Sequence, residues 1–455
     1  MTILAVDVGT SSIKTALVAD DGTVGRIVRG STPPAQSGGA AWLRSAAAAC
    51  HEALDGAKPD AVVFSGNGPT IVPVDAGGVP TCEPLMWHDD QTVERITGAR
   101  SFFLQRIAWL YRRKPEAAEK TRWFLSCPEF FMYALSGQAV TIRPNERFTP
   151  FIWDSEQADM YGVEAHKLPP YVLTGDVTPA VADGRGMAWG LDDGIPVIAG
   201  GYDFLMSLVG TGTLRPGRTC DRAGTSEGIN HCAARPAEDT RLRSLPHLMP
   251  DTYNVAGVLS STGRLFEWFR SISGQKKVSY ENMVRDILDR KPGSTPWFFP
   301  SLHQGANWEF ASGMFIGLGA EHDEADMGRA VVESIGYAVR ESVEMLGEAG
   351  FTVSSLRACG GQSKNSLWNQ MKSDITGVPI EVPVVRDAEL VGNAIAGFVG
   401  LGVYERLDEA ADRIVRIEDR FEPDMNRYRI YTECFGEYCA HYTGFRIAFS
   451  EATSP

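Results

Sequence analysis

The sequence lacks the features that would tie its function to disulfide or zinc chemistry. Its eight cysteines are scattered, with no Cys-x-x-Cys pair and no nearby histidine pattern of the zinc-site type. We therefore expect reduced thiols, as in a cytoplasmic protein. Neither a disulfide scaffold nor a structural zinc site is predicted.

The sequence is also short of basic charge and of long apolar runs. Its 43 lysine and arginine residues face 57 aspartate and glutamate residues, and the formal net charge is −14. Such a chain is not drawn to nucleic acid phosphates or anionic lipids, so we expect no nucleic acid and no membrane partner. The longest uncharged apolar stretch, 390–404, is too short to span a bilayer. No basic segment with an apolar run follows Met1, so no signal peptide is expected.

The length and composition of the chain favour a folded protein with more than one domain. Its 455 residues are 44% hydrophobic and 22% charged, which is ordinary for globular proteins and allows two large domains or three smaller ones. Pro216 and Gly217 interrupt the pattern near the middle of the chain. We place the boundary there and predict domains over 1–214 and 215–455.

The periodicity of the sequence predicts a mixed sheet in each half. Each half starts with a hairpin and continues through strand and helix units, which suggests an internal duplication. The segment 144–167 is aromatic and irregular, and we expect the least order there. The predicted elements are strands over 3–7, 13–18, 24–29 and 61–65, and helices over 40–54, 102–113, 128–135 and 325–349.

A glycine followed by hydroxyl residues ends an apolar strand once in each predicted domain. Backbone N–H groups and hydroxyls in such turns can converge on phosphate oxygens. Two ordinary hairpins are the alternative, because glycine-hydroxyl turns are common. The turn residues are Gly9, Thr10, Ser11 and Ser12 in the first domain, and Gly224, Thr225 and Ser226 in the second.

Two acidic residues follow buried-type strands. Asp203 comes after a strand that ends in two glycines, where open α/β sheets place their clefts, and a carboxylate there could take a proton from a hydroxyl. The alternative is a helix N-cap. Asp7 ends the first strand and could hold hydrated Mg²⁺ together with phosphate oxygens, or it could stabilise the turn.

Two further segments have the composition of ligand sites. Gly360 and Gly361 end a strand and would let a flat base approach the backbone, where Asn365 could bind it. A close contact between strand and helix is the alternative. Trp87 and Asp89 combine an aromatic plane with a carboxylate, which suits a polyhydroxylated ligand, although a solvated loop with one buried tryptophan also fits.

Taken in order, these segments resemble the FGGY carbohydrate kinases, and the resemblance runs nearly end to end. It implies an α/β fold of two actin-like (ribonuclease H-like) domains, with mixed sheets flanking a central cleft. It further implies ATP and Mg²⁺ as cofactors and a small-molecule sugar or polyol as acceptor. Whether the chain forms a homodimer is left open by the sequence. The segments that carry it are 7–12, 104–135, 200–203, 223–226, 261–268 and 360–377.

The resemblance also assigns roles to individual residues. Asp203 would be the catalytic base, and Asp7 and Asp203 would be the metal ligands. Sugar binding would fall to the N-terminal domain and nucleotide binding to the C-terminal domain. The implied nucleotide-binding residues are Gly9, Thr10, Ser11, Ser12, Lys14, Gly224, Thr225, Ser226, Gly263, Gly360, Gly361 and Asn365, and the implied substrate residues are Asn67, Trp87, Asp89, Asp203 and Phe204.

The chain departs from the family pattern at positions that face the sugar. The loop 65–70 carries neither the Met-His pair of xylulose kinases nor the Arg-Glu of glycerol kinases, and Gln91 replaces an arginine. Arg106 stands where lysine is usual, and the segment 299–307 lacks the family's Glu-Arg. The expected acceptor is therefore a small ketose, xylulose-like, or a polyol. A sugar and nucleotide sensor with weak catalysis and an actin-like ATPase are the alternatives.

Overall fold

The computed structural model describes residues 1–224, 226–259, 262–293, 296–301 and 313–453. In chain order, its strands are β1 (Thr2–Val8), β2 (Ser12–Ala19), β3 (Val28–Ser31), β4 (Ala61–Gly66), β5 (Ile71–Val74), β6 (Trp123–Ser126), β7 (Thr141–Arg143), β8 (Tyr171–Leu173), β9 (Val177–Thr178), β10 (Val197–Tyr202), β11 (Thr219–Ala223), β12 (Glu227–Ala233), β13 (Arg243–Pro246), β14 (Tyr253–Leu259), β15 (Trp297–Phe299), β16 (Met314–Ile316), β17 (Leu356–Gly360), β18 (Ile380–Pro383) and β19 (Ile417–Phe421).

The helices are α1 (Gly39–Leu54), α2 (Leu104–Arg113), α3 (Pro115–Lys120), α4 (Cys127–Ser136), α5 (Thr149–Ile152), α6 (Ser155–Tyr161), α7 (Asp203–Gly210), α8 (Thr262–Ile272), α9 (Tyr280–Leu288), α10 (Glu324–Glu348), α11 (Ser366–Thr376), α12 (Ala388–Gly400), α13 (Leu407–Ile414) and α14 (Met425–Thr453). Short 3-10 helices cover Ala35–Ser37, Asp90–Thr92, Glu146–Phe148, Ala165–Lys167, Met187–Trp189, Gln275–Lys277 and Gln362–Lys364.

The chain folds as two compact units that differ from the predicted continuous halves. The break after Leu214 falls at the predicted boundary, but two later segments return to the first unit, so the prediction of 215–455 as one continuous body needs correction. The first unit comprises Met1–Leu214, Pro246–Asp251 and Asp387–Val415, and the second unit comprises Arg215–Leu245, Thr252–Arg386 and Arg416–Pro455.

The sheet of the first unit has six strands in the order β3-β2-β1-β4-β10-β9. Strands β1 and β2 form an antiparallel hairpin, and β4 and β10 run parallel to β1. From Ile3 to Val8 every residue of β1 is buried, because a central strand of such a sheet is covered on both faces. Helix α1 packs on this sheet through Trp42 and Ala46 and ends at Leu54, where Asp55 caps it in a left-handed conformation.

The sheet of the second unit repeats this arrangement with one more strand. Its order is β13-β14-β12-β11-β17-β18-β19. Strands β11 and β12 form the hairpin, and β17 and β18 run parallel to β11 as β4 and β10 do to β1. The antiparallel edge strands also correspond. The predicted duplication and the α/β fold with mixed sheets are therefore confirmed.

Two predictions about the first unit need correction. The third strand lies over Val28–Ser31, not 24–29, and Val24 makes only an isolated bridge to Val18. The segment 144–167 is built of short helices, because Asn145 and Asp154 cap two of them and Phe148 and Trp153 are buried. Among the described residues, no helix combines the length and the apolar character needed to cross a membrane.

Candidate active site

The hairpin between β1 and β2 forms the first predicted phosphate turn. The N–H of Gly9 donates to the carbonyl of Ser12 at 3.0 Å, and a Cβ on Gly9 would lie only 3.0 Å from that oxygen. Thr32 binds the carbonyls of Gly9 and Ser11 from outside the turn. The turn is thus held rigid by its own backbone, while Thr10 is half-buried and Ser11 is exposed.

A cluster of charged groups lies beside this turn. The Lys14 Nζ is 3.7 Å from Asp7 Oδ2, 3.4 Å from Asp387 Oδ1 and 3.4 Å from Glu389 Oε2. Arg29 forms a second ion pair with Asp387. When all five groups are ionised, three carboxylates face two cations, so the cluster has an excess of negative charge. Lys14 therefore lies among carboxylates of its own unit, although it was predicted to bind nucleotide.

The burial of this cluster shifts its proton affinities. Burial raises the pKa of Asp7 to about 7, against the lowering effect of Lys14 and with further raising by the charges of Glu389 and Asp203. Burial opposes the charge on Lys14, but the carboxylates around it raise the pKa of Lys14 well above its usual range. Asp7, at the end of β1, is thus a carboxyl group whose ionisation the buried site opposes.

Replacing Asp7 by Asn should stabilise the protein above pH 7. Because the pKa of Asp7 is about 7 in the folded state and about 3.8 when unfolded, the folded state binds more protons between these values, and stability falls as pH rises across that window. An asparagine cannot ionise, so it removes this loss of stability and leaves two carboxylates facing two cations. We therefore expect the free energy of unfolding to rise by about 1 kcal/mol or more at pH 8.

Thermal unfolding of the wild type and the Asp7→Asn variant between pH 4 and pH 8 measures this difference. Asp192→Asn is the matched control, because Asp192 pairs with Lys58 at the surface, where the loss of an ion pair changes stability little. A variant at position 7 that is less stable than the wild type by the same amount at every pH would contradict the prediction.

Helix α7 brings Asp203 to the carboxyl end of β10. Gly200 is needed just before it, because a Cβ there would lie 2.1 Å from the Phe64 carbonyl oxygen. Asp203 is the first residue of α7 and is half-buried, and its Oδ1 accepts the N–H of Phe204 at 2.7 Å. The N-cap position belongs to Tyr202, so the alternative of Asp203 as the N-cap is wrong.

Helix α12 carries Glu389 to the same region. The two helices pack with their backbones in contact, since a Cβ on Gly392 would lie 2.0 Å from the Met206 carbonyl oxygen. This approach places Ser207 Oγ of α7 3.1 Å from Glu389 Oε1. Helix α7, which begins with Asp203, is therefore bonded to α12 through Ser207 and Glu389. The same Glu389 pairs with Lys14.

A series of buried hydrogen bonds holds the carboxylate of Asp7. Asn393 of α12 donates through Nδ2 to the Val6 carbonyl and to Ser65 Oγ, both at 2.9 Å. Ser65 Oγ in turn donates to Asp7 Oδ1 at 2.8 Å. These contacts fix the Asp7 carboxylate by a residue of β4 and a residue of α12.

The loop after β4 links the predicted sugar side to the first turn. Asn67 is buried, with its Nδ2 donating to the Val8 carbonyl at 3.0 Å and its Oδ1 accepting from Thr70 Oγ1. Both ends of its amide are bonded within the protein, so Asn67 holds the loop, and its contact with the substrate stays a prediction. Trp87 donates from its indole Nε1 to Thr10 Oγ1 at 2.9 Å.

Arg106 holds the backbone next to Trp87. It is buried, and its guanidinium donates to the carbonyls of Met86 and Trp87. The half-buried Asp89 caps the following 3-10 helix by accepting the N–H of Gln91 at 3.0 Å. Arg106 thus positions the backbone at Trp87, the aromatic platform predicted for the sugar. In the sequence it stood out only as a departure from the family pattern.

The second unit contains the other predicted phosphate turn. The N–H of Gly224 donates to the carbonyl of Ser226 at 2.9 Å, while Thr225 lies outside the described residues. Gly360 has φ +87°, and a Cβ there would lie 2.3 Å from the Ala223 carbonyl oxygen. The end of β17 therefore lies against the start of this hairpin, and only glycine fits at that position.

The residues that follow Gly360 leave donors available. Asn365 caps α11 by accepting the N–H of Trp368 at 3.1 Å, and its Nδ2 is buried without a hydrogen-bond partner in the part of the chain that the structure describes. A Cβ on Gly361 would meet no atom within 4 Å, so the backbone there is open. Gly263 is half-buried in the first turn of α8.

Several members of these sites were not predicted from the sequence. Asp387 and Glu389 flank the start of α12, and the only sequence signal for them is a pair of acids directly before an apolar helix. Over the described ranges, no three His, Cys, Asp or Glu side chains are grouped so as to bind a metal ion. The predicted Mg²⁺ site therefore depends on two carboxylates, those of Asp7 and Asp203.

Comparisons with known proteins agree on one family. The model of the N-terminal domain of the FGGY family of carbohydrate kinases matches residues 2–210, and the model of its C-terminal domain matches residues 222–401. The chain is 24% identical to a xylulose kinase of Staphylococcus epidermidis, over 97% of this chain and 96% of that protein. It is 28% identical to an autoinducer-2 kinase of Klebsiella pneumoniae, over 74% of this chain and 67% of that protein.

Solved structures show the same fold. A ligand-bound xylulose kinase from Lactobacillus acidophilus matches with a TM-score of 0.84 at 19% identity, over 99% of this chain and 100% of that one. A glycerol kinase from Plasmodium falciparum with ADP matches with a TM-score of 0.81 at 15% identity, over 97% and 98% of the two chains. At such low identity these matches establish the architecture and leave the acceptor open.

Proposed function

Because the chain belongs to the FGGY family of carbohydrate kinases and is therefore a carbohydrate kinase, we propose that it transfers the γ-phosphate of ATP to a hydroxyl of a small ketose or polyol. Pentuloses such as xylulose are the first candidates. The observation that carries the proposal is the half-buried Asp203 at the start of α7, in the same unit as the Trp87 platform.

In this proposal, Asp203 is the catalytic base. Its Oδ1 is held by the N–H of Phe204, which fixes the direction of the carboxylate. Phosphoryl transfer needs little covalent chemistry beyond alignment of the hydroxyl, removal of its proton and neutralisation of charge. Asp203 would receive the proton of the attacking hydroxyl.

The acceptor would bind beside Trp87 and Asp89. An indole face stacks on the C–H face of a sugar, and a carboxylate accepts its hydroxyl protons. Phe204, half-buried next to Asp203, would add apolar contact. The exposed Gln91 offers no fixed positive charge, which favours an uncharged acceptor over an acid.

The nucleotide would bind mainly through the second unit, and the residues there fit it. The open backbone at Gly361 and the unpartnered Asn365 Nδ2 suit an adenosine, whose base offers acceptors. The turn at Gly224 and Ser226 would bind phosphate oxygens through N–H groups and hydroxyls. The proposed nucleotide-binding residues further include Gly263, Thr225 and the first turn, 9–12.

Asp7 and Asp203 would hold Mg²⁺ together with phosphate oxygens. The ion prefers one or two carboxylates and oxygen ligands, and it would supply charge neutralisation during the transfer. The raised pKa of Asp7, caused by burial and opposed by Lys14, shows a carboxylate that a further cation would stabilise in its charged form.

A panel of pentuloses, hexuloses, tetritols and pentitols, assayed for ADP release, tests the proposal. We expect one acceptor class to be phosphorylated with kcat/KM at least about tenfold above the rest, as contacts to hydroxyl groups allow. Nucleotide binding without product across the panel would instead favour a sensor. ATP hydrolysis that ignores every acceptor would favour an actin-like ATPase. Sedimentation of the same sample tests whether the chain forms a homodimer.

A further inference from the structure

A buried charged triad lies beneath the second predicted phosphate turn. The Lys372 Nζ of α11 is 2.7 Å from Asp221 Oδ2 of β11 and also contacts the carboxylate of Glu227 in β12. The side chains of all three residues are at most 2% exposed. One ammonium therefore holds two carboxylates away from water.

The positions of the acids connect this triad to the turn. Glu227 is the cross-strand partner of Ala223, so it closes the hairpin that contains Gly224 and Ser226. Ala223 is also the register partner of Gly360 in the parallel pair of β11 and β17. The triad therefore lies next to the position where the hairpin of β11 and β12 meets the end of β17.

Glu227 also reaches the segment after β17. Its Oε2 lies 3.4 Å from Gln362 Nε2, in the 3-10 helix that follows Gly360 and Gly361. Lys372 belongs to α11, the helix that Asn365 caps. A single carboxylate therefore bridges the proposed phosphate turn and the proposed adenosine segment, and one ammonium holds that carboxylate.

The energetics make this arrangement depend on Lys372. Burial and the neighbouring charge of Asp221 raise the pKa of Glu227 to about 8, and Lys372 opposes that rise. Two buried carboxylates repel one another when no cation lies between them. Without the ammonium of Lys372, the Glu227 side chain would lose the contact that holds it between the hairpin and Gln362.

We propose that Lys372 is a positioning residue for the nucleotide, because through Glu227 it holds the hairpin of β11 and β12 in register with residues 360–365. This inference rests on the proposed nucleotide site in the second unit. It assigns Lys372 no contact with ATP. Its role is to keep the backbone groups of two separate segments aimed at one ligand.

Calorimetric titration of the full chain with ATP tests the proposal without an acceptor. We expect Lys372→Met to weaken binding by about tenfold or more, the loss expected when a charge-assisted hydrogen bond that orders a site is removed. Arg329→Met is the matched control, because it removes the buried cation from the Arg329–Glu333 pair of α10. The control should lose thermal stability and keep the wild-type affinity.

A second variant separates positioning from folding. The triple substitution Lys372→Met, Asp221→Asn and Glu227→Gln leaves no buried charge, so its stability should recover toward that of the wild type while its ATP affinity stays low. Recovery of affinity together with stability would overturn the positioning role, and so would wild-type affinity in folded Lys372→Met. A wild-type chain that fails to bind ATP would instead refute the nucleotide site, and this inference with it.

Discussion

Replacing Asp203 by Asn is expected to lower kcat by about a thousandfold, within the range that loss of a positioned general base causes. An asparagine has the same shape and keeps an oxygen to accept the N–H of Phe204, but it cannot take a proton from a hydroxyl. The acceptor identified in the panel and a coupled assay for ADP give kcat. Calorimetry in the absence of Mg²⁺ should show unchanged ATP affinity, because Asp203 belongs to the first unit and is proposed to reach the nucleotide only through the metal ion.

Asp154→Asn provides the matched control. Asp154 is the N-cap of α6 in the first unit, and its carboxylate accepts the N–H of Gln157 at 2.8 Å, a capping bond that asparagine can keep. We expect this variant to retain the wild-type kcat. If Asp203→Asn behaved like it, with phosphorylation at an unchanged rate, Asp203 would be a local structural residue and the base would lie elsewhere.

The parts of the site that stand out in the sequence are short segments in which a strand, a glycine and a polar residue follow one another. In the turn at Gly9 the constraint is local, because a Cβ there would lie 3.0 Å from the Ser12 carbonyl oxygen. At Gly200 and Gly360 the constraint comes from distant strands, because the carbonyls of Phe64 and Ala223 leave no room for a Cβ. The sequence therefore shows where these glycines lie, and the fold shows why they are needed.

The parts that the sequence did not predict depend on partners that are distant in the chain. The sequence does not show that Glu389, far along the chain, returns to the first unit and pairs with Lys14, whose contact with the nucleotide stays a prediction. The same holds for Lys372, whose partners Asp221 and Glu227 lie 151 and 145 residues earlier in the chain. Spacing in the sequence does not tell which strands and helices become neighbours, so ion pairs across them appear only in the folded chain.

Asn67 shows why the sequence does not tell the role of a buried polar side chain. The sequence places this residue in the loop after β4, but the direction of its side chain decides between binding a ligand and holding the loop. Here Val8 and Thr70 satisfy the amide. A buried polar group takes whatever partner the backbone offers, because an unsatisfied one costs free energy. Only the three-dimensional neighbours reveal which partner that is.

Replacing Gly392 by Ala is expected to lower the free energy of unfolding by about 3 kcal/mol or more, because the added Cβ overpacks a backbone contact. It would lie 2.0 Å from the Met206 carbonyl oxygen, and neither helix backbone can yield without separating α7 from α12. That separation would move Glu389 away from Ser207 and Lys14, so kcat should fall as well. Thermal unfolding and the ADP assay measure both effects.

Gly436→Ala is the matched control, because the same methyl group is added inside a helix where no atom lies within 4 Å. Alanine favours the helix over glycine, so this variant should gain up to about 1 kcal/mol. Equal stability of the two variants would show that α7 and α12 can separate at no cost. In that case the contact of Ser207 with Glu389 could not hold Asp203 in place, and the link between the catalytic helix and the Lys14 cluster would have to be abandoned.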